Sequence, residues 1–173
     1  MKKPTGKKSA EASPCPGCGH AGGRQECQDV FNDVALRVRA LAWTGSLQTW
    51  RLMHDVYAIQ HPEDLCGTFG KLVLHLGGVC VGLEHDGAER VYRALQKLVD
   101  RDDWRNATYP PAGMPASRGT FTADSLKSFD EPMLLVNGVD RWARSAWVAY
   151  EPLQIWARNW VAQAQTQAQA QSQ

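Results

Sequence analysis

Two consecutive segments of this chain carry apolar residues on nearly every side of a helix, and they constrain the fold most. The first runs from about Ser46 to His61, where Pro62 ends it, and the second runs from Leu65 to Glu84. Lys71 and His75 are the only ionisable residues of the second segment before its final glutamate. A helix that is hydrophobic all round is a buried one. The two segments therefore predict two central helices.

Three glycines lie inside the second segment, at Gly77, Gly78 and Gly82. Each glycine costs a helix about 1 kcal/mol relative to alanine, so a cluster of them indicates that another helix approaches closely there. A strand over residues 71 to 83 is the competing interpretation. The length of the segment and the lack of neighbouring strands favour the helix.

The rest of the chain also follows the helical period. Apolar residues at helical spacing predict an amphipathic helix from Cys27 to Leu41 and another from Val91 to Val99. Glu131 and Pro132 begin a last long helix, which Pro152 interrupts near Tyr150. The predicted fold class is all-α, a single bundle of about five to seven helices preceded by a Cys-rich zinc knuckle.

The two ends of the chain differ in composition from its middle. Residues 1–14 are basic and polar, and residues 162–173 alternate Gln with Ala and Ser, so we predict disordered tails at both ends. Residues 15–161 form the single predicted domain. Within it, the Pro- and Gly-rich stretch 106–119 is a candidate lid over one face of the bundle.

Charge and hydropathy exclude two classes of protein. The 173 residues include 19 Lys plus Arg and 18 Asp plus Glu, a net charge of +1, which argues against a dedicated nucleic-acid binder. No apolar run reaches the roughly 18 residues of a membrane span, and no export signal precedes the domain. We expect a cytoplasmic protein, in which the five cysteines are thiols or metal ligands rather than disulfides.

The most specific local motif is Cys15-Pro-Gly-Cys18-Gly. Its Pro-Gly turn brings two sulfurs to one side of the loop, where they can bind a metal such as zinc. A redox CxxC normally lies between a strand and a helix, which this one does not, so a metal is favoured over disulfide exchange. Cys27 is the nearest third ligand, although it also fits the apolar stripe of its helix.

The fourth ligand is expected to be a histidine. His61 ends the second helix beside Pro62, where its side chain can point into a junction, while His20 and His75 are the alternatives. We predict a zinc site formed by Cys15, Cys18, Cys27 and His61. Three thiolates and one imidazole form a closed tetrahedral set, so the leading hypothesis is a structural zinc in a binding or accessory module.

Asp55 is the residue that packing explains least. A carboxylate in a helix with almost no polar face needs a partner, and we expect the ring N–H of His61 or His75, with Arg51 as the ordinary salt-bridge alternative. The competing function is a metal-dependent hydrolase or transferase with Asp55, His61 and His75 in one interhelical pocket, Asp55 and His75 being its catalytic candidates. Cys80 and Cys66 are expected in the core, and Glu84 at a solvated helix end.

These motifs occur together in a known family. The CPGCG motif, Cys27 with Phe31, an Asp-x-Tyr-x-x-Gln-His-Pro string at 55–62 and His75 resemble an uncharacterised bacterial family, domain of unknown function 5946. The resemblance extends from Cys15 to Trp160. It implies that Cys15, Cys18, Cys27, Asp55, His61 and His75 matter, without implying an activity. The partner is open: a protein or a small-molecule ligand.

Overall fold

The computed structural model describes residues 13–41, 47–99 and 113–170, and these residues contain α-helices and no strand. The helices are α1 (Gly23–Ala40), α2 (Leu47–Gln60), α3 (Pro62–Leu65), α4 (Phe69–Glu84), α5 (Glu89–Val99), α6 (Pro132–Ala149) and α7 (Gln154–Ala170). Two 3₁₀ turns, Ala123–Leu126 and Glu151–Leu153, precede α6 and α7. The all-α prediction is confirmed.

Helix α4 lies at the centre of the bundle. It packs against α2, α5, α6 and α7, while α2 also contacts α1 and α6. Ten of its sixteen residues are buried, which explains why the sequence of α4 is apolar on all sides. The prediction of two central helices, α2 and α4, is confirmed.

The glycines of α4 admit side chains from its neighbours. A Cβ atom at Gly78 would overlap the carboxylate of Asp55, and one at Gly82 would lie 2.8 Å from the Leu52 side chain. On the opposite side, a Cβ at Gly77 would lie 2.8 Å from Leu95 of α5. The close approach predicted from this glycine cluster therefore occurs with both α2 and α5.

The helix predicted to begin at Leu65 begins instead at Phe69. Gly67 adopts a φ of +64°, a left-handed conformation that glycine tolerates best, and this ends the short helix α3. Thr68 then caps α4, since its side-chain oxygen accepts a hydrogen bond from the N–H of Lys71 at 3.3 Å. Two local signals thus divide one apolar run.

The C-terminal part of the bundle matches one prediction and corrects another. Helix α6 ends at Ala149, and Pro152 lies in the following 3₁₀ turn, as predicted. The disordered tail predicted from residue 162 is wrong as far as Ala170, because α7 continues through it. Ala164 and Ala168 are buried, and α7 packs against α4 and α5, so small apolar residues at helical spacing were enough to dock it.

Several predicted features lie outside the described residues: the tail segments 1–12 and 171–173, the start of the second helix at Ser46, and residues 106–112 of the candidate lid. Within the described ranges, no helix has the length and apolar character required to cross a membrane.

Candidate metal centre

The CPGCG motif forms a tight loop before α1. The N–H of Gly19 donates to the carbonyl of Cys15 at 2.8 Å, and the N–H of Cys15 donates to the carbonyl of His20 at the same distance. Gly17 lies against the ring of His61, where a Cβ atom would overlap it. The glycines therefore close the loop and let it approach the end of α2.

His61 follows the last residue of α2 and is 1% exposed. Its Nδ1–H donates to the carbonyl oxygen of Tyr57 at 2.8 Å, which leaves Nε2 without a proton in the neutral ring. Nε2 lies 3.4 Å from Sγ of Cys27, a residue of α1 that is 3% exposed. The tautomer of His61 is thus the one that a metal ligand requires.

Cys15, Cys18, Cys27 and His61 bring their ligand atoms within 4.8 Å of one another. The Sγ atoms of Cys18 and Cys27 are 3.4 Å apart, too far for a disulfide bond of about 2.05 Å. Tetrahedral zinc with bonds of about 2.3 Å to sulfur and 2.0 Å to nitrogen separates its ligand atoms by about 3.5 to 3.8 Å. The cluster is therefore close to the size that a metal ion needs.

The cluster favours one thiolate, at Cys18. A hydrogen bond from the Cys27 thiol, together with His61 and the backbone N–H of His20, lowers the pKa of Cys18 to about 4 against the opposing effect of burial. The hydrogen bond to Cys18 and desolvation raise the pKa of Cys27 above its ordinary value. Soft sulfur donors with one thiolate already favoured form a good site for a divalent transition metal.

The two alternative histidines lie elsewhere. The ring of His20 is 3.6 Å from Glu26 and 3.8 Å from Asp124, and it is not part of the cluster. His75 pairs with Asp55 on α2: its Nδ1 lies 2.8 Å from Oδ1 of the carboxylate. Among the histidines considered from the sequence, His61 alone joins the three cysteines.

The expected partner of Asp55 is therefore found in His75 and not in His61. Arg51, the salt-bridge alternative, binds Glu89 through both of its terminal nitrogens. Burial raises the pKa of Asp55 above its ordinary value, while the hydrogen bond from His75 opposes that shift. Asp55 and His75 line a cavity between α2, α4 and α5, and His61 does not. The hydrolase or transferase hypothesis required Asp55, His61 and His75 in one pocket. In the structure, Asp55 and His75 share a cavity, and His61 lies with the cysteines.

A second group, Cys80, Glu84 and His85, also has ligand atoms within 4.8 Å of one another. Its carboxylate is already engaged: Arg158 donates to both oxygens of Glu84, at 2.8 and 3.1 Å, and lowers its pKa. Trp147 donates to the same carboxylate at 3.1 Å. Glu84 ends α4 and is exposed, as expected, and α6 and α7 also supply it with partners that the local sequence does not reveal.

Cys80 and Cys66 belong to the core, as expected. They are 0% and 1% exposed, and burial raises the pKa of each thiol to about 12. The Cys66 thiol lies 3.6 Å from the carbonyl of Ala58. Neither cysteine belongs to the cluster of Cys15, Cys18, Cys27 and His61.

Sequence reasoning missed Gln60, which is fully buried beside His61. Its amide nitrogen donates to the carbonyls of Arg118 and Phe121, each at 2.9 Å, and its oxygen accepts from the indole of Trp142 at 2.9 Å. These contacts hold the segment before α6 against α2. Gln60 is the first residue of the Gln-His-Pro string, but nothing in that string indicates its distant partners.

Comparison with protein-family models matches residues 13–151 to a family of unknown function, DUF5946. Neither the search of curated proteins nor the search of solved structures found a match. The matched range contains the cysteine cluster, the Asp55–His75 pair and helices α1 to α6. Because it covers most of the chain, this protein belongs to the DUF5946 family.

Proposed function

We propose that this protein is a small cytoplasmic zinc-binding protein, in which Cys15, Cys18, Cys27 and His61 hold one structural zinc ion. One observation carries the proposal: the four ligand atoms, drawn from three parts of the chain, lie within 4.8 Å of one another. Cysteine and histidine in this ratio are a frequent donor set of structural zinc.

The tautomer of His61 supports the same conclusion. The carbonyl of Tyr57 fixes the proton on Nδ1, and the tilted ring of Tyr57 lies 4.1 Å from the imidazole, centroid to centroid. Phe31 of α1 stacks on Tyr57, with the ring centroids 3.8 Å apart. A ring held in this way presents Nε2 to the thiols without losing further freedom on binding a metal.

Four protein ligands complete a tetrahedron and leave no position for water or substrate, so the zinc has a structural role. It joins the CPGCG loop to α1 and to the junction of α2 with α3. On this proposal the protein is a binding or accessory module, and the zinc fixes the surface formed by its N-terminal loop. Thiolate ligands persist in a reducing compartment, which is consistent with the cytoplasm.

Elemental analysis of protein purified without added metal tests the proposal. We expect about one zinc per chain, and close to none in Cys18→Ser or Cys27→Ser. Cys66→Ser is the matched control, because Cys66 is as buried as Cys15 and lies outside the cluster, so it keeps its zinc. Native protein without any transition metal would contradict the proposal.

A further inference from the structure

A second site lies between α2, α4 and α5, and none of the four proposed zinc ligands lines it. The cavity there has a volume of about 330 Å³, within the range of small-molecule sites. Trp50, Leu74 and Leu95 give it an apolar wall, and Asp55, His75 and His54 are its polar edge. A cavity with one apolar wall and a few fixed polar groups is the usual form of a ligand site.

Both histidines of this edge have their Nδ1 atoms engaged. His75 donates through Nδ1 to the carboxylate of Asp55 at 2.8 Å, and His54 donates through Nδ1 to the carbonyl of Trp50 at 2.8 Å. In the neutral form of each ring, Nε2 is therefore an acceptor. The His75 side chain is 26% exposed, and within the described part of the chain its Nε2 has no hydrogen-bond partner.

Two donors of the cavity lining, Arg51 and Tyr92, are committed to other groups, whereas the exposed amide of Gln96 lies at its edge. Arg51 pairs with Glu89 and lies over the ring of Tyr92, with its carbon 5.3 Å from the ring centroid. The Tyr92 hydroxyl donates to the carbonyl of Gly78 at 2.7 Å. The Arg51 charge is thus balanced, and the cavity presents acceptors beside the Asp55 carboxylate. An anionic ligand would meet like charge there and find few donors.

We propose that this cavity binds a small uncharged molecule with an apolar body and one O–H or N–H group, which donates to Nε2 of His75. The apolar body lies against Trp50 and Leu74, while Asp55 holds the tautomer of His75 that accepts. Gly78 makes this pairing possible, because any side chain there would displace the carboxylate of Asp55. The inference goes beyond the proposed zinc function and does not depend on it.

Phenol and anisole are a matched pair of probes, since they differ in the donor hydrogen that the proposal requires. NMR titration of the native, zinc-loaded protein measures their affinities and the ring-nitrogen resonances of His75. We expect phenol to move the Nε2 resonance and to bind about tenfold more tightly than anisole, the effect of one net hydrogen bond. Benzoate, as an anion, should bind more weakly than phenol.

Two variants separate the hydrogen bond from the cavity. His75→Phe keeps an aromatic ring and should abolish the preference for phenol over anisole. Leu74→Trp fills the cavity while leaving the Asp55–His75 pair in place, and it should abolish the binding of both probes. The proposal is overturned if native protein binds neither probe, if it binds both equally, or if either variant keeps the native preference and affinity. If His75→Phe does not fold, Leu74→Trp and the native titration still decide.

Discussion

Two histidines of this bundle, His61 and His75, are fixed in the same way but placed in different surroundings. Each donates through Nδ1 to an oxygen of α2 at 2.8 Å, the carbonyl of Tyr57 in one case and the carboxylate of Asp55 in the other. His61 is 1% exposed and faces three thiols, whereas the side chain of His75 is 26% exposed and faces a cavity. The surroundings of Nε2, and not the orientation of the ring, distinguish a closed metal site from an open ligand site.

The difference also concerns what each site joins. The cysteine cluster connects the N-terminal loop and α1 to the end of α2, and α1 packs less extensively on α2 than α4 does. The Asp55–His75 pair connects α2 to α4, which already pack together extensively through Leu52 and Gly82. We therefore expect loss of the first site to affect stability much more than loss of the second.

Removing the metal should have the largest effect. A strong chelator should lower the free energy of unfolding of native protein by on the order of 5 kcal/mol, because zinc binding contributes directly to folding. Thermal unfolding followed by circular dichroism measures this change. Cys27→Ser should already unfold at the lower temperature and should not respond to the chelator. If the chelator lowered the unfolding temperature of native protein and of Cys27→Ser equally, the metal cluster would not be what stabilises the fold.

Gln60→Leu should have the next largest effect. The variant leaves the indole N–H of Trp142 and the carbonyls of Arg118 and Phe121 without their buried partner. Unpaired buried groups cost about 1 to 3 kcal/mol each, and we expect a loss of about 3 kcal/mol in urea unfolding. Zinc content should stay at one per chain although Gln60 adjoins His61. A loss of zinc would show that the two residues act as one unit.

The sequence predicts most of this fold because its signals are local. The spacing of apolar residues in α1, the glycines of α4 and Pro152 each act within a few turns of helix, and the structure agrees with all three. The continuation of the C-terminal helix from residue 162 to Ala170 was not predicted, because alanines give a weak hydrophobic stripe, which becomes informative only when α4 and α5 are known to receive it.

Some residues of the candidate sites could also be predicted from local sequence signals, and others could not. The CPGCG motif and His61 could be selected from residue type and spacing, since metal ligands come from few residue types. Gln60 could not, because its partners lie 58 to 82 residues away. Asp55 was placed correctly because a buried carboxylate needs a partner wherever it occurs. The cavity beside it depends on α5, whose position no local pattern indicates.

Asp55→Asn should change how the stability of the protein depends on pH. Burial raises the pKa of Asp55 in the folded state above its ordinary value of 3.8, so the folded protein binds this proton more tightly than the unfolded chain does. Its contribution is present at low pH and is lost as pH rises through the folded pKa. As pH rises through the folded pKa, native protein loses this contribution and the Asn variant does not. The variant should therefore become more stable relative to native protein.

Asn keeps an oxygen that accepts from His75, so the variant differs from native protein mainly in the proton that Asp55 binds. Urea unfolding of both proteins over a pH series measures the difference, and zinc loss at low pH is common to both. Zinc content should be unchanged, since Asp55 pairs with His75 and not with a residue of the cysteine cluster. A constant difference at every pH would show that Asp55 titrates alike in the folded and unfolded states.

Glu84→Gln should have the smallest effect, and it tests whether the group of Cys80, Glu84 and His85 is a third site. Arg158 lowers the pKa of Glu84, so its stabilising contribution is present above the ordinary value of 4.5 and is lost as pH falls through the folded pKa. The Arg158 side chain is 47% exposed and that of Glu84 is 32% exposed, so solvent limits the loss to about 1 kcal/mol at neutral pH.

Gln keeps the acceptor for Trp147. If Glu84 only forms an ion pair with Arg158, the loss of stability in Glu84→Gln should disappear at acid pH, and zinc should stay at one per chain. A second metal in native protein that Glu84→Gln removes would instead assign this group to metal binding.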